Sequence, residues 1–198
     1  MGVEERMADR CNTIRLYSFQ TDVVYQVLKR DGVCYSKEEY VRKKYKESAK
    51  VFINAYSWFV KEAQHIVPKP EGAEYPYWAF TDLYNVDQTG DGHVLTLDVP
   101  IGEAILFDMF DWTKIMQMHY IGENESEEAA FSEKLKNMGM NEFQIMTSNF
   151  YPEQKARIQE SWKRLFGHQQ AIEARDNSGV HSVQAGLWCI KDEWIVKE

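Results

Sequence analysis

Cysteine is scarce in this chain: three in 198 residues (Cys11, Cys34 and Cys189), odd in number and far apart. Their spacing matches no metal-ligand pattern and makes no disulfide framework, which implies a reducing compartment and a fold held by its core. No stretch approaches the roughly 20 consecutive apolar residues that a membrane span requires. Met1–Asn12 is polar and mixed in charge, without an apolar signal core. A cytoplasmic protein with no membrane contact is expected. Positive charge is also short. Lys and Arg number 23 against 31 Asp and Glu, giving a net charge of −8 and a pI near 5.2, which argues against a broad grip on nucleic-acid phosphates. Gly-x-x-x-x-Gly-Lys, Gly-x-Gly-x-x-Gly, Gly-x-Ser-x-Gly and His-Glu-x-x-His are all missing. His65, His93, His119, His168 and His181 share no metal-ligand spacing, so no metal is expected.

What the chain has in quantity is aromatic side chain: Trp 6, Tyr 11 and Phe 10, within a hydrophobic content of 44%. That load, over 198 residues, predicts one globular domain at 13–198 behind a flexible lead at 1–12. A domain of that size buries roughly 70% of the surface its unfolded chain exposes. The densest aromatic stretch, Tyr75–Phe80, sits between the Pro68–Gly72 turn and the Val94–Pro100 run, and a cleft is expected beside it.

Along the chain, Thr13–Phe19 alternates, Ile14, Leu16 and Ser18 against Arg15, Tyr17 and Phe19, which predicts a strand. Thr21-Asp22 then caps a short helix carrying Val23, Val24, Val27 and Leu28 and stopped by Gly32. Ser36 and Glu39 have capping-box spacing. From Val41 through Tyr45, Ala49, Phe52, Tyr56, Phe59 and Ala63 to Ile66 runs the apolar stripe of one long helix, ended by Pro68. Lys43, Lys44, Lys46, Lys50 and Lys61 fall on its solvated face. Asp87–Asp98 has the spacing of a calcium loop, yet Val94–Val99 alternates as a strand where that motif needs a helix, so a Gly/Asp turn is expected. Ile105–Phe107 extends the sheet. Asp108 or Asp111 caps a helix from Trp112 to Gly122, Asn124 and Glu127 open the next, and Pro152 opens one running to Gly167. Residues 168–182 read as a loop, Val183–Cys189 as a strand and Trp194–Val196 as its partner. The sum is an α+β fold, with a split or bent, mostly antiparallel sheet and about five helices.

Four motifs, Tyr75-Pro76-x-Trp78-Ala79, Asp108-x-x-x-Trp112, Ser161-Trp162-x-x-x-Phe166 and Val183-Gln184-Ala185-x-x-Trp188, recur together. With them the chain, from Arg15 to its end, resembles a bacterial family of unknown function, which brings no activity with it. The order of elements more distantly resembles ADP-ribosyltransferase-like folds. Arg15–Gly32 supplies strand, short helix and Gly; Val94–Trp112 supplies a strand ending in Pro, an apolar strand and an Asp/Trp-bearing helix; Val183–Val196 supplies a Gln-bearing strand and one more.

That resemblance implies NAD as co-substrate between the halves of a split sheet, and ADP-ribosyl transfer or NAD glycohydrolysis as the activity. It implies Arg15 on the dinucleotide's phosphate or ribose and Gln184 at the ribose, the two residues that carry the catalytic expectation. Tyr17, Tyr77 or Trp78 would stack on nicotinamide or adenine. Such enzymes place a Glu on the closing strand, where this chain has Gly186. The alternative is a non-catalytic binding module whose aromatic-lined cleft holds a nucleotide, peptide or protein partner.

Overall fold

Alternation and glycine set the opening of the fold. In β1 (Thr13–Gln20), Ile14, Leu16 and Ser18 are buried while Arg15 is exposed. Gly32 adopts φ 75° and closes α1 (Asp22–Asp31), its N–H bonded to the Leu28 carbonyl, because a left-handed cap costs a residue without Cβ little. A computed structural model describes residues 12–45 and 49–197. Most of the lead at 1–12, and the side chains of Lys43, Lys44, Lys46 and Lys50, lie outside the described residues.

The remaining elements are β2 (Val33–Tyr35), α2 (Glu38–Tyr45), α3 (Ala49–Ala63), β3 (Tyr77–Phe80), β4 (His93–Pro100) and β5 (Ile105–Asp108). Then come α4 (Met109–Met116), α5 (Glu125–Asn137), α6 (Glu142–Thr147), α7 (Pro152–Ser161), a 3₁₀ segment (Trp162–His168), α8 (Gln169–Glu173), β6 (Val183–Leu187) and β7 (Cys189–Lys191). Five strands form one sheet in the order β4-β1-β3-β6-β5, each neighbouring pair antiparallel, and β2 pairs with β7 in a separate two-stranded ladder. The fold is thus α+β with a divided antiparallel sheet. No helix of the described residues is long and apolar enough to cross a membrane.

The five-stranded sheet carries a core on each face. On one, Leu16, Leu97, Ala79, Ala185 and Leu106 pack with Val24 and Leu28 of α1 and Ile172 of α8. On the other, Ile105 and Phe107 pack with Tyr56 and Phe59 of α3, Trp112 of α4 and Trp162 of the 3₁₀ segment. Both outer edges are occupied. The Gln169 side chain accepts from the Leu106 N–H (2.6 Å) and donates to the Ala104 carbonyl (3.2 Å), standing in for a neighbour of β5. Beside β4, Ile195 bridges Leu97 and the Val196 N–H donates to the Thr96 carbonyl (2.9 Å).

Several local expectations change. The strand expected over Val183–Cys189 breaks at Trp188, whose buried ring N–H donates to the Val67 carbonyl (2.8 Å); β6 then joins the main sheet and β7 the ladder. Trp194–Val196 is not the partner of that strand, since Asp192–Trp194 is a 3₁₀ turn and Ile195 meets β4. Ser36 forms no capping box: it bridges Tyr75, and the Glu38 N–H donates to the Glu74 carboxylate (2.8 Å). Asn124 does accept from the Glu127 N–H (3.0 Å), but Glu127 reaches back to the Glu123 N–H (2.7 Å). The full capping box is at Asn141 and Gln144. Asp108 caps α4, which starts three residues before Trp112 and ends at Met116. Within 168–182, Gln169–Glu173 is helical because Gln169 and Ile172 have buried surface to cover.

Candidate functional site

Strand register decides which of the expected residues can meet, because directly opposed residues of an antiparallel pair share a face. Tyr17 opposes Phe80, Phe80 opposes Gln184 and Gln184 opposes Phe107. One row of side chains therefore crosses β1, β3, β6 and β5 on a single face. Arg15 opposes Asp98 and Tyr17 opposes Thr96, which carries that face onto β4. The row is closed at one end and open at the other. Phe107 is fully buried and Gln184 is 4% exposed, whereas Phe80, Tyr17, Phe19 and Thr96 are half-buried and Arg15 is exposed. Phe59 and Trp112 close it, with rings 5.6 and 6.2 Å from that of Phe107. The open end is a half-exposed aromatic surface centred on Tyr17 and Phe80, with Arg15 and Asp98 at its rim.

Arg15 and Gln184 thus look to the same face, two strands apart. The Arg15 fork is already engaged: Nη2 donates to Asp98 Oδ2 (3.0 Å) and Nε to Oδ1 (2.5 Å). Trp78 shares the face but belongs to the core. Its ring N–H donates to the Tyr56 hydroxyl (2.6 Å), and its ring lies 5.1 Å from Phe59 and 4.8 Å from Trp112. Tyr77 turns to the opposite face, because neighbours in a strand alternate. There it is buried, its hydroxyl 3.1 Å from Cys34 Sγ, and burial pushes its pKa up. The structure therefore brings Tyr17 and Gln184 into one row, sets Arg15 at its rim, and leaves Tyr77 and Trp78 outside the open surface. Phe80 is the residue that motif and alternation did not single out, although it has the same parity as Trp78 along β3.

Two features of β6 define what this surface can do. Gln184 Oε1 is the one buried side-chain polar atom without a hydrogen-bond partner among the described residues. Gly186, two residues on, has no space for a side chain. A Cβ there would stand 2.8 Å from Phe59 Cζ and 3.1 Å from Cε1. A carboxylate at this position, as the expected ADP-ribosyltransferase-like resemblance would require, would have to displace the Phe59 ring of α3.

A second polar cluster lies at the end of β5. Asp108, 4% exposed, accepts from the Phe110 N–H (3.0 Å) and the His181 N–H (3.0 Å), and its Oδ2 is 2.9 Å from His181 Nδ1. Burial raises its pKa, but these hydrogen bonds outweigh burial and hold the carboxyl below the usual carboxylate range. The contacts tie the 174–182 loop to α4 and leave His181 exposed beside the Phe110 ring (4.9 Å). Asp87 closes an Asx turn on Thr89 (3.0 Å). Among the described residues, no group of three or more His, Cys, Asp or Glu is placed to hold a metal ion.

The family described as Domain of unknown function (DUF3841) matches residues 15–196, and the chain belongs to it. No curated protein and no solved structure matches the chain.

Proposed function

We propose that the open half of the sheet face binds a nucleotide, with its base against Tyr17 and Phe80, and that the chain serves as a binding module. The observation that carries this reading is the half-exposed row of Tyr17, Phe19 and Phe80 on a sheet whose opposite face is fully packed. Aromatic rings left partly in water beside a buried amide suit a flat heterocycle that has polar edges and an apolar face. NAD is the first ligand to test, since its two ring systems and its phosphates fit an aromatic patch with an arginine at the rim. Arg15 would meet a phosphate or ribose by exchanging its Asp98 partner. The reading favours binding over ADP-ribosyl transfer because Gly186 is packed against Phe59.

The test is thermal unfolding with and without millimolar NAD, coupled to a nicotinamide-release assay. A ligand that binds only the folded chain at 100 times its Kd adds about 2.7 kcal/mol of stability. A melting shift without nicotinamide release, lost in Tyr17→Ala while the far-ultraviolet spectrum is kept, is the expected result. Release that disappears in Arg15→Ala would replace the binding reading with ADP-ribosyl transfer or NAD glycohydrolysis. No shift with NAD, AMP or ATP would overturn nucleotide binding altogether.

A further inference from the structure

We infer that the base is read by the Gln184 amide through a neighbouring hydrogen-bond donor and acceptor, the pattern on the N6/N7 edge of adenine; this rests on the nucleotide reading above. An unpaired buried acceptor is rare in folded proteins, and Gln184 Oε1 is such an atom. The two ends of an amide exchange places by a half-turn of the last torsion. Whichever way round it sits, the group matches an edge that offers one donor and one acceptor side by side. Adenine presents that edge, and a glutamine bonds it through both ends. Hypoxanthine has the same size and ring system but carries an oxygen in place of the amino group, so its edge shows two acceptors.

Position supports the assignment. Phe80 and Gln184 oppose each other on adjacent strands, about 4.8 Å apart. A base resting on the half-exposed Phe80 ring would lie toward the amide, and would open the cover over Oε1, which is closed to solvent, to reach it. Phe107 flanks Gln184 on the other strand and is fully buried, so neither neighbouring side chain competes for the amide. Discrimination at a site of this kind is strong, because the wrong base leaves a buried polar group unpaired.

The experiment is calorimetric titration of the intact chain with AMP, IMP and 7-deaza-AMP, the last lacking the N7 acceptor. AMP is expected to bind about 5- to 150-fold more tightly than IMP, the range of one two-bond base contact, with 7-deaza-AMP between them. In Gln184→Leu the AMP-to-IMP ratio falls to near one, and in Tyr17→Ala all three ligands weaken together. Equal affinity of the wild-type chain for all three ligands overturns the Gln184 assignment and leaves the aromatic surface standing. No binding of any of the three, together with no response to NAD, removes the nucleotide reading itself. Because the ligands are varied on the wild-type chain, the outcome does not depend on a variant folding.

Discussion

Adding one methyl group at position 186 should destabilise the fold, although glycine is a poor strand residue. The new Cβ would lie 2.8 Å from Phe59 Cζ, well inside contact distance. Phe59 has little space into which to retreat. It is fully buried, with the rings of Trp78, Trp112 and Phe107 at 5.1, 5.3 and 5.6 Å. Overpacking of this kind costs about 1–3 kcal/mol, against a gain of about 0.4–1 kcal/mol from restricting the unfolded chain. Taking the middle of each range, the net loss for Gly186→Ala is about 1.3 kcal/mol, a fall of about 3–5 °C in Tm for a domain of this size. Gly186→Glu should fare worse, burying a charge against aromatic rings. Urea denaturation of Gly186→Ala, Phe59→Leu and the double variant measures the effect, and trimming the ring should relieve part of the Gly186→Ala loss, with a coupling of about 0.5–3 kcal/mol. A Gly186→Ala chain as stable as the wild type, or strict additivity in the double variant, would refute the claim that Phe59 fills this position. It would also reopen the strand to a catalytic carboxylate.

Two more outcomes are expected from the same geometry. Gln169→Leu removes the side chain that bonds both the Leu106 N–H and the Ala104 carbonyl, so about 1–3 kcal/mol should be lost; hydrogen exchange at Leu106 should accelerate, and unchanged exchange would count against Gln169 standing in for a strand beside β5. Asp108→Asn should cost about 1–2 kcal/mol at pH 7, because an amide cannot accept from all the donors that the carboxylate serves. The folded pKa of Asp108 lies below its unfolded value, so its contribution is present above about pH 4 and is lost as pH falls through the folded pKa. The gap between wild type and Asp108→Asn should therefore close at low pH. Comparing variants is necessary because Asp111, whose pKa burial pushes up, titrates with the opposite sign. A gap of the same size at pH 7 and pH 2.5 would contradict the ionic role of Asp108.

Period-two alternation was enough to find β1 and β4 and to assign Ile14, Leu16 and Ser18 to one face. Gly32 and Pro152 marked helix boundaries through constraints local to each residue. The break at Trp188 was invisible because its cause, the Val67 carbonyl, lies 121 residues away in sequence. No capping box forms at Ser36, where the Glu74 carboxylate takes the helix N–H, and at Asn124 the cap on the Glu127 N–H forms but the return bond goes to the Glu123 N–H instead. The candidate site was half legible. Arg15, Tyr17 and Gln184 do share a face, whereas Tyr77 is excluded by strand parity and Trp78 by packing. That Gly186 is crowded could not be read at all, since the approach of Phe59 from α3, with the Trp78 ring beside it, fills the space above it.

The seal on the far side of β4 consists of two residues, Ile195 and Val196. Proteolytic trimming there, or a bulky fusion that pulls those residues away, would bare a row of main-chain donors and acceptors that a second molecule could adopt as its own partner strand. Such a shortened chain should associate more strongly than the intact one as concentration rises, which sedimentation velocity would read. Ile195 and Val196 thus cover a short stretch of the β4 edge that would otherwise be open to a foreign strand.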